Sequence, residues 1–193
     1  MELSKRQKDI VEASLEIIGE KGIQTLTIKN ISKKVGISEP AIYRHFESKT
    51  QILLAILDFF IVNNKKIIQQ DTAEDKSVKE IIELLFENFI KTFINHPYLI
   101  SVIFSEEIFR NDAVFKEKTS QIINDNYRLI SNLIKKGQEN NEFREDLDIR
   151  ATATIIMGSL RLCVKRWQMH DFAFDLKTEG YKLRDTILKI LLK

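Results

Sequence analysis

The residues best suited to chemistry lie close together. Glu39, Pro40, Ala41, Tyr43, Arg44 and His45 fall within seven positions, with Ser38 just before them and Lys49 just after. An arginine at such a place can make two hydrogen bonds to a guanine edge, and Pro40 and Ala41 can touch a thymine methyl. Tyr43 and His45 suit phosphate contacts or bracing of the helix that carries them. Lys49 and, upstream, Thr27 and Lys29 stand where helices begin. There free backbone N–H groups and a nearby cation make a phosphate site. Lys33 and Lys34 fit a phosphate contact or a merely solvated patch equally well. The plain alternative for the whole set is the wet face of a small helical bundle.

Local signals show how these residues would be positioned. Thr27 can cap a short helix in which Ile28, Ile31 and Val35 recur at helical spacing. Gly36 supplies the left-handed turn after it. Ser38 can cap a second helix with Pro40 in its first turn, where a missing N–H costs nothing. Ile42 and Phe46, four apart, would point inward. Ser48 with Gln51 reads as a capping box opening the next helix. Ser4 with Gln7 reads likewise, opening a helix that runs to Lys21 and ends at Gly22. Two short helices across a glycine turn, braced by helices on either side, have the layout of a helix-turn-helix DNA reader.

With its caps and aromatics, the segment from about residue 8 to 57 resembles the DNA-binding domain of the TetR/AcrR family of transcriptional regulators. Matching positions are Thr27, Ile31-Ser32, Gly36-Ile37-Ser38, Tyr43, His45-Phe46 and Lys49. Two residues depart from the family pattern: Ser32 replaces an alanine, and Asn30 stands where an acid is common. The resemblance implies a reader of three helices, an effector-binding and dimerising domain of six more, and DNA contacts at the positions named above. It also matches the polar run GQENNEFREDLD to a loop before the last two helices.

Composition agrees in outline. Two prolines, six glycines and 44% hydrophobic residues in 193 favour long helices around a sizeable core. The net charge is +2, and all of it falls in residues 1–50, which hold nine Lys/Arg against seven Asp/Glu. A DNA contact would use such a bias, although it is small. The lone Cys163 excludes an intrachain disulfide and a cysteine zinc site, and suits a reducing cytosol. The charged start MELSKRQKDI does not look like a signal peptide, and no apolar run is long enough to span a membrane. The three histidines are scattered, Glu106-Glu107 is no acid/base pair, and no phosphate loop or nucleophile elbow is present. These features predict no cofactor, no metal and no enzyme activity.

The periodicity predicts an all-α fold of about nine helices: a reader over residues 1–47 and a larger helical domain over 48–193. Bulky side chains on the larger domain's helices suit a hydrophobic effector pocket or ordinary core. The candidates are Phe59, Phe86, Phe89, Phe93, Phe104, Tyr127, Cys163 and Trp167, with Asn63 as a polar anchor. Small residues at Ala151, Ala153, Gly158 and Ser159 on the penultimate helix predict a homodimer through a four-helix interface. The sequence thus predicts a cytoplasmic, homodimeric repressor that leaves an inverted-repeat DNA operator when a hydrophobic or aromatic small molecule binds. A regulator of the same fold without an effector, and a helical enzyme with an incidental reader-like segment, stay open.

Overall fold

The computed structural model describes residues 3–71, 76–104 and 113–193, with 62–71 described by their backbone only. Among the described residues there are nine α-helices and no strand. They are α1 (Lys5–Lys21), α2 (Ile28–Val35), α3 (Glu39–Tyr43), α4 (Lys49–Asp71), α5 (Val78–Asn95), α6 (Leu99–Ile103), α7 (Ala113–Glu139), α8 (Ile149–Met169) and α9 (Leu176–Leu191). A single 3-10 turn, Ile23–Thr25, sits between α1 and α2. The all-α expectation holds. The helix expected from His96-Pro97 to near Asn111 appears as the shorter α6, which ends at Ile103 with Phe104 in a turn; residues 105–111 lie outside the described residues. Glu106 and Glu107, read as no acid/base pair, lie outside the described residues.

The chain packs as two compact units. Met1–Ile61 and His96–Ser120 form one; Val62–Asn95 and Gln121–Lys193 form the other. In the first, α1 packs on α2, α2 on α3, and α6 on α1. Ile10, Ile31, Ile42, Ile52, Ile56 and Leu57 are fully buried there. Of the predicted capping boxes, Ser4–Gln7 forms completely. At α4 the pattern shifts by one residue: the Gln51 N–H donates to Ser48 Oγ, while Gln51 Oε1 accepts from the Glu47 N–H.

In the second unit, α9 packs against both α5 and α8. Phe86 of α5, Ile134 of α7, Ala153 and Ile156 of α8, and Leu188 and Leu191 of α9 meet in one core. The polar run 137–148 was expected to be a loop; its first three residues instead end α7, and Phe143 in the remainder is fully buried in this core. Its ring fills the space where Gly137 lacks a side chain; a Cβ there would overlap the ring. The next residue, Arg144, donates its N–H to the Leu191 carbonyl at 2.8 Å, which ties the loop to the end of α9. The helices themselves begin where expected, with Asp148 and Asp175 capping α8 and α9.

Candidate DNA-binding site

The reader is built from three short-range devices. The Thr27 hydroxyl accepts from the Asn30 N–H at 3.1 Å and fixes the start of α2. Gly36 closes α2 in the left-handed region, φ 75 and ψ 32, with the N–H groups of Gly36 and Ile37 both donating to the Ser32 carbonyl. Ile42 and Phe46 are buried beneath α3, as their spacing required. Glu39, Pro40, Tyr43 and Arg44 are exposed, Tyr43 by 51%, while Ala41 and His45 are half-buried. Thr27, Lys29 and Ser38 are exposed as well, and Lys49 is half-buried at the first position of α4.

One cap differs from the sequence expectation. Ser38 has the extended backbone of a cap, but its hydroxyl makes no capping bond. Pro40 is the reason. It removes one N–H from the first turn, and the next, that of Ala41, already donates to the Ser38 carbonyl at 2.9 Å. The Ser38 hydroxyl is therefore left to the exposed side. Asn30, the departure from the acid, also has a use. Its Nδ2 donates to the Thr25 carbonyl at 2.8 Å, which a carboxylate could not do, and so ties α2 to the preceding 3-10 turn.

The two undecided lysines separate. Lys34 Nζ lies 2.7 Å from Glu16 and 3.3 Å from Glu20 of α1, and the hydrogen bond to Glu16 above all raises its pKa. Its charge is committed inside the protein. Lys33 is exposed. A contact missed in the sequence joins α1 to the end of the reader: Gln7 Nε2 donates to the His45 carbonyl at 3.4 Å.

The candidate effector residues do not share one unit. Phe59 and Phe104, both half-buried, belong to the first. Phe86, Phe89, Phe93, Tyr127, Cys163 and Trp167 belong to the second. Phe86 and Phe93 are buried, and Phe89 and Phe93 meet edge to face at 4.8 Å. The Tyr127 hydroxyl donates to the Arg150 carbonyl. Trp167 donates from Nε1 to the Phe174 carbonyl and packs on Phe172, which fastens the α8–α9 corner. Burial raises the Cys163 thiol pKa, which keeps it protonated. The side chain of Asn63 lies outside the described residues. Two buried hydroxyls on α7, Thr119 and Ser131, have no hydrogen-bond partner among the described residues; no sequence signal marked them. Among the described residues no group of three His, Cys, Asp or Glu could hold a metal ion, and no helix is long and apolar enough to cross a membrane.

Residues 10–56 match the bacterial regulatory proteins of the tetR family, and residues 59–193 match the C-terminal region of YsiA-like proteins. The chain belongs to the TetR family. The fatty acid metabolism regulator protein of Bacillus subtilis (strain 168) is 23% identical over 189 residues, covering 97% of this chain and 95% of its own length. Two solved structures share the fold. The fatty acid degradation regulator FadR from Bacillus halodurans has a TM-score of 0.82 at 21% identity, covering 97% of each chain. The transcriptional regulator FadR from Bacillus subtilis, in complex with stearoyl-CoA, has a TM-score of 0.81 at 21% identity, covering 95% of this chain and 98% of that one. This TetR-family protein is a DNA-binding transcriptional regulator.

Proposed function

We propose that this regulator is a homodimeric repressor that leaves an inverted-repeat operator when a long, apolar effector of the acyl-thioester class binds within residues 48–193. The observation that carries the DNA half is the outward side of α3. Arg44 and Tyr43 are exposed there, on a helix seated by buried Ile42 and Phe46 and entered through the Gly36 turn. Arg44 reads a base, while Lys49, Thr27 and Lys29 hold phosphates.

Support for the dimer comes from α8. Ile155 and Leu162 are each 60% exposed and Met169 is 73% exposed, and the three stand seven residues apart. A seven-residue period keeps apolar side chains on one stripe of a helix. Gly158, exposed on the same helix, has open space where a side chain would be, so another backbone can approach it. A second copy of α8 and α9 covers such a stripe in a homodimer.

The effector class comes from the relatives, a fatty acid metabolism regulator and a FadR solved with stearoyl-CoA. An acyl chain suits a domain rich in phenylalanine, Phe86, Phe89 and Phe93 of α5 among them. This reading gives the chain no catalytic step. Sequencing the genomic fragments retained by the purified protein, then titrating the recovered operator with stearoyl-CoA, tests it. Retention of an inverted repeat that stearoyl-CoA releases is the expected result. Fragments with no shared motif would refute the operator, and release by no acyl-CoA of any chain length would refute the effector class.

A further inference from the structure

The corner between α5 and α6, His96–Pro97–Tyr98, does more than connect. The His96 ring stands edge-on to Phe59 of α4, with centroids 5.0 Å apart and planes at 89°. Glu12 of α1 acts on His96 electrostatically. One heptad further along α1, the Tyr98 ring lies directly on Gly19: a Cβ at that position would overlap its Cγ, Cδ1 and Cε1 atoms. All of these residues belong to the unit that contains the reader. His96 therefore touches α4, which follows the reader directly, and Tyr98 touches α1, which packs on α2.

Gly19 itself argues that the contact matters. A glycine inside a helix costs ~1 kcal/mol relative to alanine. The positive-φ glycines of this chain are Gly22 and Gly36; Gly19 has no such backbone demand. What excludes a side chain at Gly19 is the tyrosine. The chain enters the corner from Asn95, the last residue of α5, which belongs to the other unit. The corner is thus the covalent link from α5 to the unit that holds the reader.

We propose that Tyr98, seated on Gly19, is a positioning residue that couples the α5–α6 corner to the DNA reader, so that α1 moves together with α4 when the corner shifts. The part played by an effector rests on the reading above; the coupling to DNA does not. The test is a double-mutant cycle on the full-length protein, read by fluorescence anisotropy with the recovered operator, with and without stearoyl-CoA. Gly19→Ala displaces the ring and is expected to weaken operator binding at least tenfold. Adding Tyr98→Ala makes room again and restores operator affinity to within about threefold of wild type, because the clash is gone. Tyr98→Ala alone keeps operator affinity but reduces the weakening caused by stearoyl-CoA at least tenfold, whereas Tyr98→Phe keeps it in full. Far-ultraviolet circular dichroism confirms helix content in each variant.

Wild-type operator affinity in a folded Gly19→Ala variant overturns the proposal. So does an unchanged stearoyl-CoA response in Tyr98→Ala. If Gly19→Ala does not fold, the Tyr98→Ala and Tyr98→Phe pair decides alone. If wild type binds operator and stearoyl-CoA does not weaken it, the effector reading fails, and the Gly19/Tyr98 cycle in operator affinity still decides the coupling.

Discussion

Substituting two lysines of the reader unit should affect the salt dependence of DNA binding differently. Lys49 opens α4 and no acidic group in the described residues pairs with it, whereas Lys34 is held by Glu16 at 2.7 Å and Glu20 at 3.3 Å. A lysine that neutralises a phosphate releases a condensed counterion, and each such contact adds ~0.9 to the slope of log affinity against log salt. A dimer carries two copies of Lys49, so Lys49→Ala should make the slope shallower by ~1.8. Between 50 and 200 mM salt, a fourfold change, that corresponds to ~12-fold. The variant's deficit should therefore be about 12 times larger at the low end than at the high end. Lys34→Ala removes a charge already neutralised within the protein. Its expected result is a wild-type slope with a small loss of thermal stability, because α1 and α2 lose a tether. Anisotropy titrations of labelled operator at four salt concentrations give both slopes. A wild-type slope for Lys49→Ala, or a drop for Lys34→Ala as large as that for Lys49→Ala, would show that ion pairing in the free protein does not decide which lysines meet phosphate.

Other outcomes follow from single residues. Arg44→Ala should cost ~1–3 kcal/mol on the preferred operator and flatten discrimination at one base pair per half-site, measured across a panel of operator variants; equal losses on every sequence would make Arg44 a phosphate contact instead. Leu162→Glu places a charge in the middle of the exposed α8 stripe and should give a monomer in sedimentation at micromolar concentration, with binding to single half-sites only; an intact dimer would remove α8 from the interface. Phe143→Ala empties a fully buried site and should lower stability by ~3–5 kcal/mol in urea unfolding, and a loss below ~1 kcal/mol would mean the loop is not part of the core it enters. Stearoyl-CoA and operator should each lower the other's affinity by the same factor in calorimetric titrations, and independence of the two would exclude induction by that ligand.

What could be read from the sequence was what residues within four positions of each other decide. Thr27, Gly36, Ile42 and Phe46 behave as expected because a cap, a left-handed turn and a helical face depend on immediate neighbours. Ser38 shows how narrow that range is. Its cap is lost to Pro40 two residues away, through competition for a single N–H. Contacts that cross helices were not legible. Lys34 looked like a surface charge until Glu16 and Glu20, fourteen or more residues earlier, came within reach. Nothing in the residues around Gly19 marks the Tyr98 ring that lies across it. Phe143 was hidden by its polar neighbours, although a lone phenylalanine in a charged loop is itself a weak sign of an anchor.

The same distinction separates the two halves of the function. A DNA reader must present a fixed outward face, so its pattern is carried by local caps and spacing and stays visible in a single chain. An effector pocket needs only enough apolar side chains on several helices. The eight described candidates show it: Phe86 is core, Trp167 fastens a corner, and Phe59 faces His96, although all three have bulky aromatic rings. Composition cannot rank such residues, because burial stabilises the fold by the same physics that would hold an acyl chain. What can rank them is a response: a pocket residue changes stearoyl-CoA affinity when substituted, and a core residue changes stability first.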